Sequence, residues 1–232
     1  MMMDKGMSVD EAKNFVESSG DYTDIVKLGF GTAAISRNLE KKIEVYHNAD
    51  IQVYLGGTLF EAFIARDMYE DYKDLLRKLK LNMCEVSDGS INIDHAKKCE
   101  YISDLSKDFT VLSEVGSKDE NISIPDKRWI ELIKNELKAG SWKVITEARE
   151  GGNLGIYNDD GNVMSGLINK IIKNIPEENI LWETPKKSQQ VWFIKLLGPN
   201  VNLGNISSSE VIPLETLRIG LRGDTFFDYL SD

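Results

Sequence analysis

Cysteine and histidine are scarce in this chain, with two of each among 232 residues. Two cysteines, Cys84 and Cys99, cannot build a disulfide framework. Cys84 falls inside an apolar run and reads as a small buried hydrophobe in a reducing compartment. His47 and His95 lie away from the expected strand ends, without a cysteine or histidine partner at metal-ligand spacing, and read as surface histidines. No apolar run approaches a membrane span, and the opening "MMMDKGMS" has no apolar core of signal-peptide length, so the expected location is the cytoplasm. Positive charge is in deficit: 28 Lys and Arg against 38 Asp and Glu leave a net charge of -10. Nucleic acid and anionic membrane both reward a basic surface, so neither is expected as the main partner. A small anionic substrate would need a local cluster of cations. The first βα turn carries no GxGxxG, the phosphate-binding turn of a doubly wound dinucleotide fold.

What the chain does have is a repeated grammar. "IVKLGFGT", "IQVYLGGT", "MCEVSDGS", "VLSEVGSK", "KVITEAREGG", "ILWETP" and "NVNLGN" each run from apolar residues into charged or amide groups, with glycine or proline behind. Amphipathic helical segments lie between them. "SVDEAKNFVESSG" opens with Ser8 and places Glu11 three residues later, a capping box. "LFEAFIARDMYEDYKDLLRKLK" keeps apolar residues at helical spacing throughout, with a solvated Glu/Lys face. "PDKRWIELIKNELKAG" starts at Pro125 and stops at Gly140. Alternating strands and helices imply a parallel sheet with helices outside it. Eight strands, starting near Met2, Ile25, Ile51, Met83, Thr110, Lys143, Ile180 and Asn200, are the number a TIM (β/α)8 barrel needs. The expected architecture is α/β: one TIM-barrel domain over residues 1–232, with a short first strand.

In that fold catalytic groups sit where strands end and βα loops begin. Collecting those positions gives Asp4 and Lys5, Lys27, Gly57 and Thr58, then Glu85, Ser87 and Asp88, Glu114 and Lys118, Glu147 and Arg149, Glu183 and Lys186, and finally Asn202, Gly204 and Asn205. Strand alternation puts Leu112 with Glu114, Ile145 with Glu147 and Leu181 with Glu183 on shared faces. If those faces point inward, the three carboxylates are spaced to converge on one hard divalent cation such as Mg2+. Lysines and an arginine beside a metal suit a small, multiply charged oxyanion. Loops after the last two strands commonly hold phosphate in this fold, which nominates Lys186, Asn202, Gly204 and Asn205. Strand-end charges also form structural ion-pair networks, so each individual role stays open at this point. The tryptophans read as core, and Arg222 in "LRGDT" as structural.

Taken together and in order, "DKG", "VKLGFGT", "GGTLFE", "EVSDG", "EVGSKDE", "EAREGG", "KSQQ", "VNLGN" and "LETLRIGLRGDTF" resemble the phosphosulfolactate synthase family over nearly the whole chain. The resemblance implies a TIM-barrel lyase of coenzyme M and sulfolactate biosynthesis. Such an enzyme adds sulfite to phosphoenolpyruvate in a Mg2+-dependent reaction to give (2R)-phospho-3-sulfolactate. It further implies that Lys118, the lysine after "EVG", protonates the α-carbon, with Lys27, Lys5 and Arg149 as the other catalytic cations. Three departures stand out: Phe30 replaces the usual tryptophan of "GWGT", Thr184 the usual alanine of "EAP", and Ser117 one of two usual lysines in "EVGKK". The rival readings are a stress-related, non-catalytic member of the family and a barrel aldolase with a Schiff-base lysine. A homo-oligomer is compatible with everything above.

Overall fold

The computed structural model of the chain describes residues 1–116, 124–148 and 151–228. Strand and helix alternate along it: β1 (Met2–Asp4), α1 (Val9–Ser19), β2 (Ile25–Leu28), α2 (Leu39–His47), β3 (Gln52–Leu55), α3 (Gly57–Ile64), α4 (Tyr69–Lys78), β4 (Met83–Val86), α5 (His95–Leu105), β5 (Thr110–Val115), α6 (Asp126–Ala139), β6 (Lys143–Thr146), α7 (Ser165–Ile172), β7 (Ile180–Glu183), α8 (Lys187–Leu197), β8 (Leu203–Gly204), β9 (Ile206–Ser207) and α9 (Val211–Arg218). Seven of the eight strand starts fall within a residue of their expected positions. The eighth begins at Leu203 rather than Asn200.

All the strand ladders are parallel. One run is ordered β3-β2-β1-β9 and the other β4-β5-β6-β7-β8. The two runs meet twice. β3 packs against β4, and β8 passes into β9 through the single residue Asn205, which adopts a left-handed φ of 57°. β8 and β9 are thus halves of one kinked eighth strand, one pairing with β7 and the other with β1. The architecture is a TIM barrel, as the alternation predicts. β1 has only three residues, all buried.

Local chemistry accounts for the helix limits. Ser8 and Glu11 form the expected capping box, the Glu11 carboxylate accepting from the Ser8 N–H at 2.7 Å. α6 follows Pro125 and ends at Gly140, whose φ of 119° a side chain would strain. The long helical segment after β3 is in fact two helices. The chain breaks between Ile64 and Tyr69, where Asp67 has a φ of 55°, so continuous apolar spacing hid a corner.

Apolar burial divides into two compartments. A large one fills the space between strands and helices, with Val26, Val53, Phe60, Trp129, Val144 and Phe193 among its members. A small one fills the barrel: Ile25, Tyr54, Met83, Leu112, Ile145 and Leu181, one residue from each of six neighbouring strands. Each buried aliphatic side chain there stabilises the fold by roughly 1.5–3 kcal/mol. Trp129 and Trp182 are core residues, as expected, whereas Trp142 is exposed.

Candidate active site

Two residues further along the same strands, the barrel interior changes character. Lys27 follows Ile25, Glu85 follows Met83, Glu114 follows Leu112, Glu147 follows Ile145 and Glu183 follows Leu181. The alternation of strand side chains puts each pair on one face. All five charged residues are buried, and all line one cavity of about 310 Å3 at the carboxyl end of the barrel, with Met3, Phe30, Gly56, Thr58, Gly151 and Asn205. The inward register expected for Glu114, Glu147 and Glu183 is what the structure has.

Lys27 organises this layer. Its ammonium lies 2.9 Å from Glu85 Oε2, 3.4 Å from Glu114 Oε2 and 3.7 Å from Glu183 Oε1. Burial alone would lower its pKa, but Glu85, Tyr54, Glu114 and Glu183 outweigh that and hold it well above the ordinary lysine value. Burial pushes the Glu183 carboxyl up to about 7; Lys27 opposes the shift while Glu114 and Glu85 reinforce it.

Glu85 and Glu183 are each aimed by a backbone N–H. Glu85 Oε1 accepts from the Gly57 N–H at 2.7 Å, at the start of α3, leaving Oε2 for Lys27. A side chain at residue 57 would collide with Ser87 and Glu85, which explains the glycine. Glu183 Oε2 accepts from the Ala148 N–H at 3.2 Å, and the Tyr157 hydroxyl donates to the Glu183 carbonyl at 2.6 Å. Gly116, just past β5, has a φ of 143° and packs against the Glu147 side chain, so only glycine fits the turn.

The other nominated residues divide. Thr58 and Asn205 do line the cavity. Lys5 is exposed at its rim, its ammonium 5.8 Å from the centre of the Phe30 ring. Lys186 is exposed at the start of α8, close to Gly161. Gly204 is buried against Leu181. The Gly57 amide is taken by Glu85. The Ser87 hydroxyl donates to Glu61 on α3, and Asp88 pairs with Lys98 on α5 at 2.8 Å, so both serve the loop after β4. Asn202 precedes β8 and donates to the carbonyl of Ile180, where β7 begins, placing it at the opposite end of the barrel. Lys118 and Arg149 lie outside the described residues.

Among the described residues no group of three His, Cys, Asp or Glu side chains is disposed as a metal site; the Lys27 ammonium lies 3.4 Å from Glu114 and 3.7 Å from Glu183. One expectation needs correction: His95 is not a surface residue. It is half-buried on α5, with Nε2 3.6 Å from Cys99 Sγ and Nδ1 3.7 Å from Glu136. The residue that sequence reasoning collected without assigning a role is Glu85. Its signal was available, since "MCEVSDG" ends as the other strands do.

A parallel barrel with a buried layer of carboxylates around one lysine at its carboxyl mouth belongs to the class of TIM-barrel enzymes. Solved structures agree on the fold: 3-hexulose-6-phosphate synthase from Salmonella typhimurium superposes with a TM-score of 0.57 at 14% identity, over 92% of this chain and 96% of that one. 3-Keto-L-gulonate-6-phosphate decarboxylase from Vibrio cholerae O1 biovar El Tor gives 0.54 at 11% identity, covering 94% and 95%. The sequence then narrows the class. The profile of (2R)-phospho-3-sulfolactate synthase (ComA) matches residues 1–224. Proteins named phosphosulfolactate synthase from Methanothermobacter thermautotrophicus, Bacillus subtilis and Methanocaldococcus jannaschii are 42%, 39% and 41% identical, over 97%, 98% and 97% of this chain and 90%, 91% and 92% of theirs. The chain belongs to the phosphosulfolactate synthase family, lyase-type enzymes that form a C–S bond. Among the described residues no helix is long and apolar enough to cross a membrane.

Proposed function

We propose that this enzyme adds sulfite to phosphoenolpyruvate, giving (2R)-phospho-3-sulfolactate. The observation that carries the reading, beside the family, is the charged layer itself: four carboxylates and one lysine, buried together around one cavity. Burying so many ionised groups costs stability, so the layer is there for its chemistry. In the reaction the sulfur lone pair attacks C3 of phosphoenolpyruvate and a C–S bond forms. The π electrons of the C2–C3 bond move toward the substrate carboxylate. A general acid then delivers a proton to C2 as the electron pair moves back from the carboxylate.

The donor set fits Mg2+: hard carboxylate oxygens that outnumber the lysine held among them. Mg2+ is usually bound through one or two carboxylates, with water and substrate completing its shell, so a three-carboxylate cage is not required. One or two of Glu114, Glu147 and Glu183 would hold it, and it would act as a Lewis acid on the charge developing at the substrate carboxylate. Lys27, kept protonated by its neighbours, contributes fixed positive charge at the cavity floor. The same protonation argues against a Schiff-base aldolase, whose lysine must lose its proton to act as a nucleophile. Lys186, Gly204 and Asn205 are the candidates for gripping phosphate, with Thr58 lining the same cavity as Asn205; Asn202, at the opposite end of the barrel, is not among them. Lys118, two residues past Gly116, takes the role of acid at C2 on the strength of the family resemblance. Lys5 and Arg149 complete the cations that offset repulsion between two anionic substrates.

The test is a direct assay of phosphoenolpyruvate consumption with and without sulfite, each with Mg2+ and with chelator. Consumption that depends on both supports the reading. No consumption, or consumption indifferent to sulfite, overturns it, and turnover in chelator removes the metal from it.

A further inference from the structure

Three lysines are buried among the described residues: Lys27, Lys42 and Lys98. Lys42 pairs with Asp4 at 2.9 Å beneath the first βα turn. Lys98 has no part in the chemistry above, yet it touches the site from behind. It projects from α5 with 1% exposure, and its ammonium meets three acceptors on three elements. These are Asp88 Oδ1 at 2.8 Å in the loop after β4, Glu136 Oε1 at 2.9 Å on α6, and the backbone carbonyl of Glu114 at 2.6 Å near the end of β5. An ammonium has three N–H donors and no acceptor, so this set is complete.

Stability alone is a poor explanation for such an arrangement. Replacing a buried ion pair by apolar side chains of similar volume is often neutral or stabilising. An apolar pair cannot, however, hold a carbonyl. The carbonyl in question belongs to Glu114, whose carboxylate accepts from Lys27 at 3.4 Å. Two residues later the chain turns at Gly116, whose φ of 143° opens the loop after β5. We propose that Lys98 is a positioning residue: by holding the Glu114 carbonyl to α5, α6 and the loop after β4, it fixes the end of β5 and aims the Glu114 carboxylate into the cavity. This inference rests on the lyase reading above.

The experiment compares wild type with Lys98→Met/Glu136→Met, which removes the ion pair and fills its volume, and with Lys98→Arg, which keeps the charge opposite Glu136. Thermal melts are recorded beside kcat and KM for phosphoenolpyruvate at saturating sulfite. The expected result is a double variant that melts near wild type with kcat down about a hundredfold and KM within about threefold, since misplacing a group by about 1 Å costs that order. A guanidinium presents its donors in a flat fork rather than as a tripod, so Lys98→Arg should recover only part of kcat. A folded double variant with wild-type kcat overturns the proposal, and so does a failure of both variants to fold, which would make Lys98 a structural residue only. Wild type inactive on phosphoenolpyruvate and sulfite would refute the lyase reading instead.

Discussion

The barrel interior holds two adjacent layers drawn from the same strands, and they obey opposite rules. Ile25, Met83, Leu112, Ile145 and Leu181 form the lower layer with Tyr54; Lys27, Glu85, Glu114, Glu147 and Glu183 lie one pleat above them. Backbone, strand and burial are shared, so the difference is chemical. The apolar layer gains free energy by leaving water, while the charged layer loses hydration and recovers it through Lys27 and backbone N–H groups. The lower layer holds the barrel together. On the proposed function, the upper one is a cost carried for reactivity.

The largest expected effect is at Lys118, four residues after Glu114 in the sequence. If Lys118 is the acid at C2, Lys118→Ala should lower turnover by about a hundred- to ten-thousand-fold, the usual range for general acid catalysis. Lys118→Arg should restore phosphoenolpyruvate affinity but not turnover, because a guanidinium hardly releases its proton. Steady-state kinetics on the three proteins decide. Recovery of both by arginine would make Lys118 an electrostatic clamp, and Lys27 or Lys5 would become the acid to test.

Next comes stability, and here the lower layer should dominate. Leu112 is fully buried at the centre of the apolar compartment. Leu112→Ala should cost about 2–5 kcal/mol in urea unfolding, the range for emptying a packed site. A loss below about 1 kcal/mol would mean that the barrel interior is loosely filled, and the contrast between layers would collapse.

How much of this contrast the sequence carried depends on the element. The apolar-to-charged step at each strand end was readable because a period of two fixes which residues share a face. Glu114, Glu147 and Glu183 accordingly stand where the pattern put them. What lay between them was not readable. No spacing rule says that the Lys27 side chain from β2 reaches across to β4, β5 and β7. The eighth strand misled in another way: β8 begins at Leu203, three residues later than expected, and ends at the kink at Asn205, leaving Asn202 at the amino end. Ser87 and Asp88 follow their strand closely in sequence, but the chain has already turned outward, toward Glu61 and Lys98. Loop direction depends on tertiary partners that a single sequence does not display.

A smaller effect tests the cost of the upper layer. Glu183 is buried and its pKa rises to about 7 in the fold, chiefly from burial. A group that holds its proton more tightly when folded adds stability at low pH, and that contribution is lost as pH rises from the ordinary carboxyl range through about 7. In chelator, Glu183→Gln should therefore be more stable than wild type at pH 8, by about 1–3 kcal/mol, with the gap closing toward pH 5. Denaturant midpoints across that range check it. A gap that widens on acidification would show that Glu183 is stabilised as the carboxylate.

The smallest expected effect is the most direct test of the two rules. Met83 and Glu85 lie two residues apart on β4, on the same face, and both are buried. Each can be replaced by a residue of nearly equal volume. Met83→Leu conserves apolar volume, which cores usually tolerate for less than about 1.5 kcal/mol, and it leaves the cavity lining intact, so turnover should match wild type. Glu85→Gln is equally conservative in shape. It removes the charge closest to Lys27 and adds N–H donors where one carboxylate oxygen now accepts from the Gly57 N–H and the other pairs with Lys27. Its urea midpoint can stay close to that of Met83→Leu while turnover falls, because activity depends on charge in the upper layer and stability on volume in the lower. Equal turnover in the two variants would mean that the chemistry reaches no deeper than Glu114, Glu147 and Glu183, and that Glu85 serves only to cap α3.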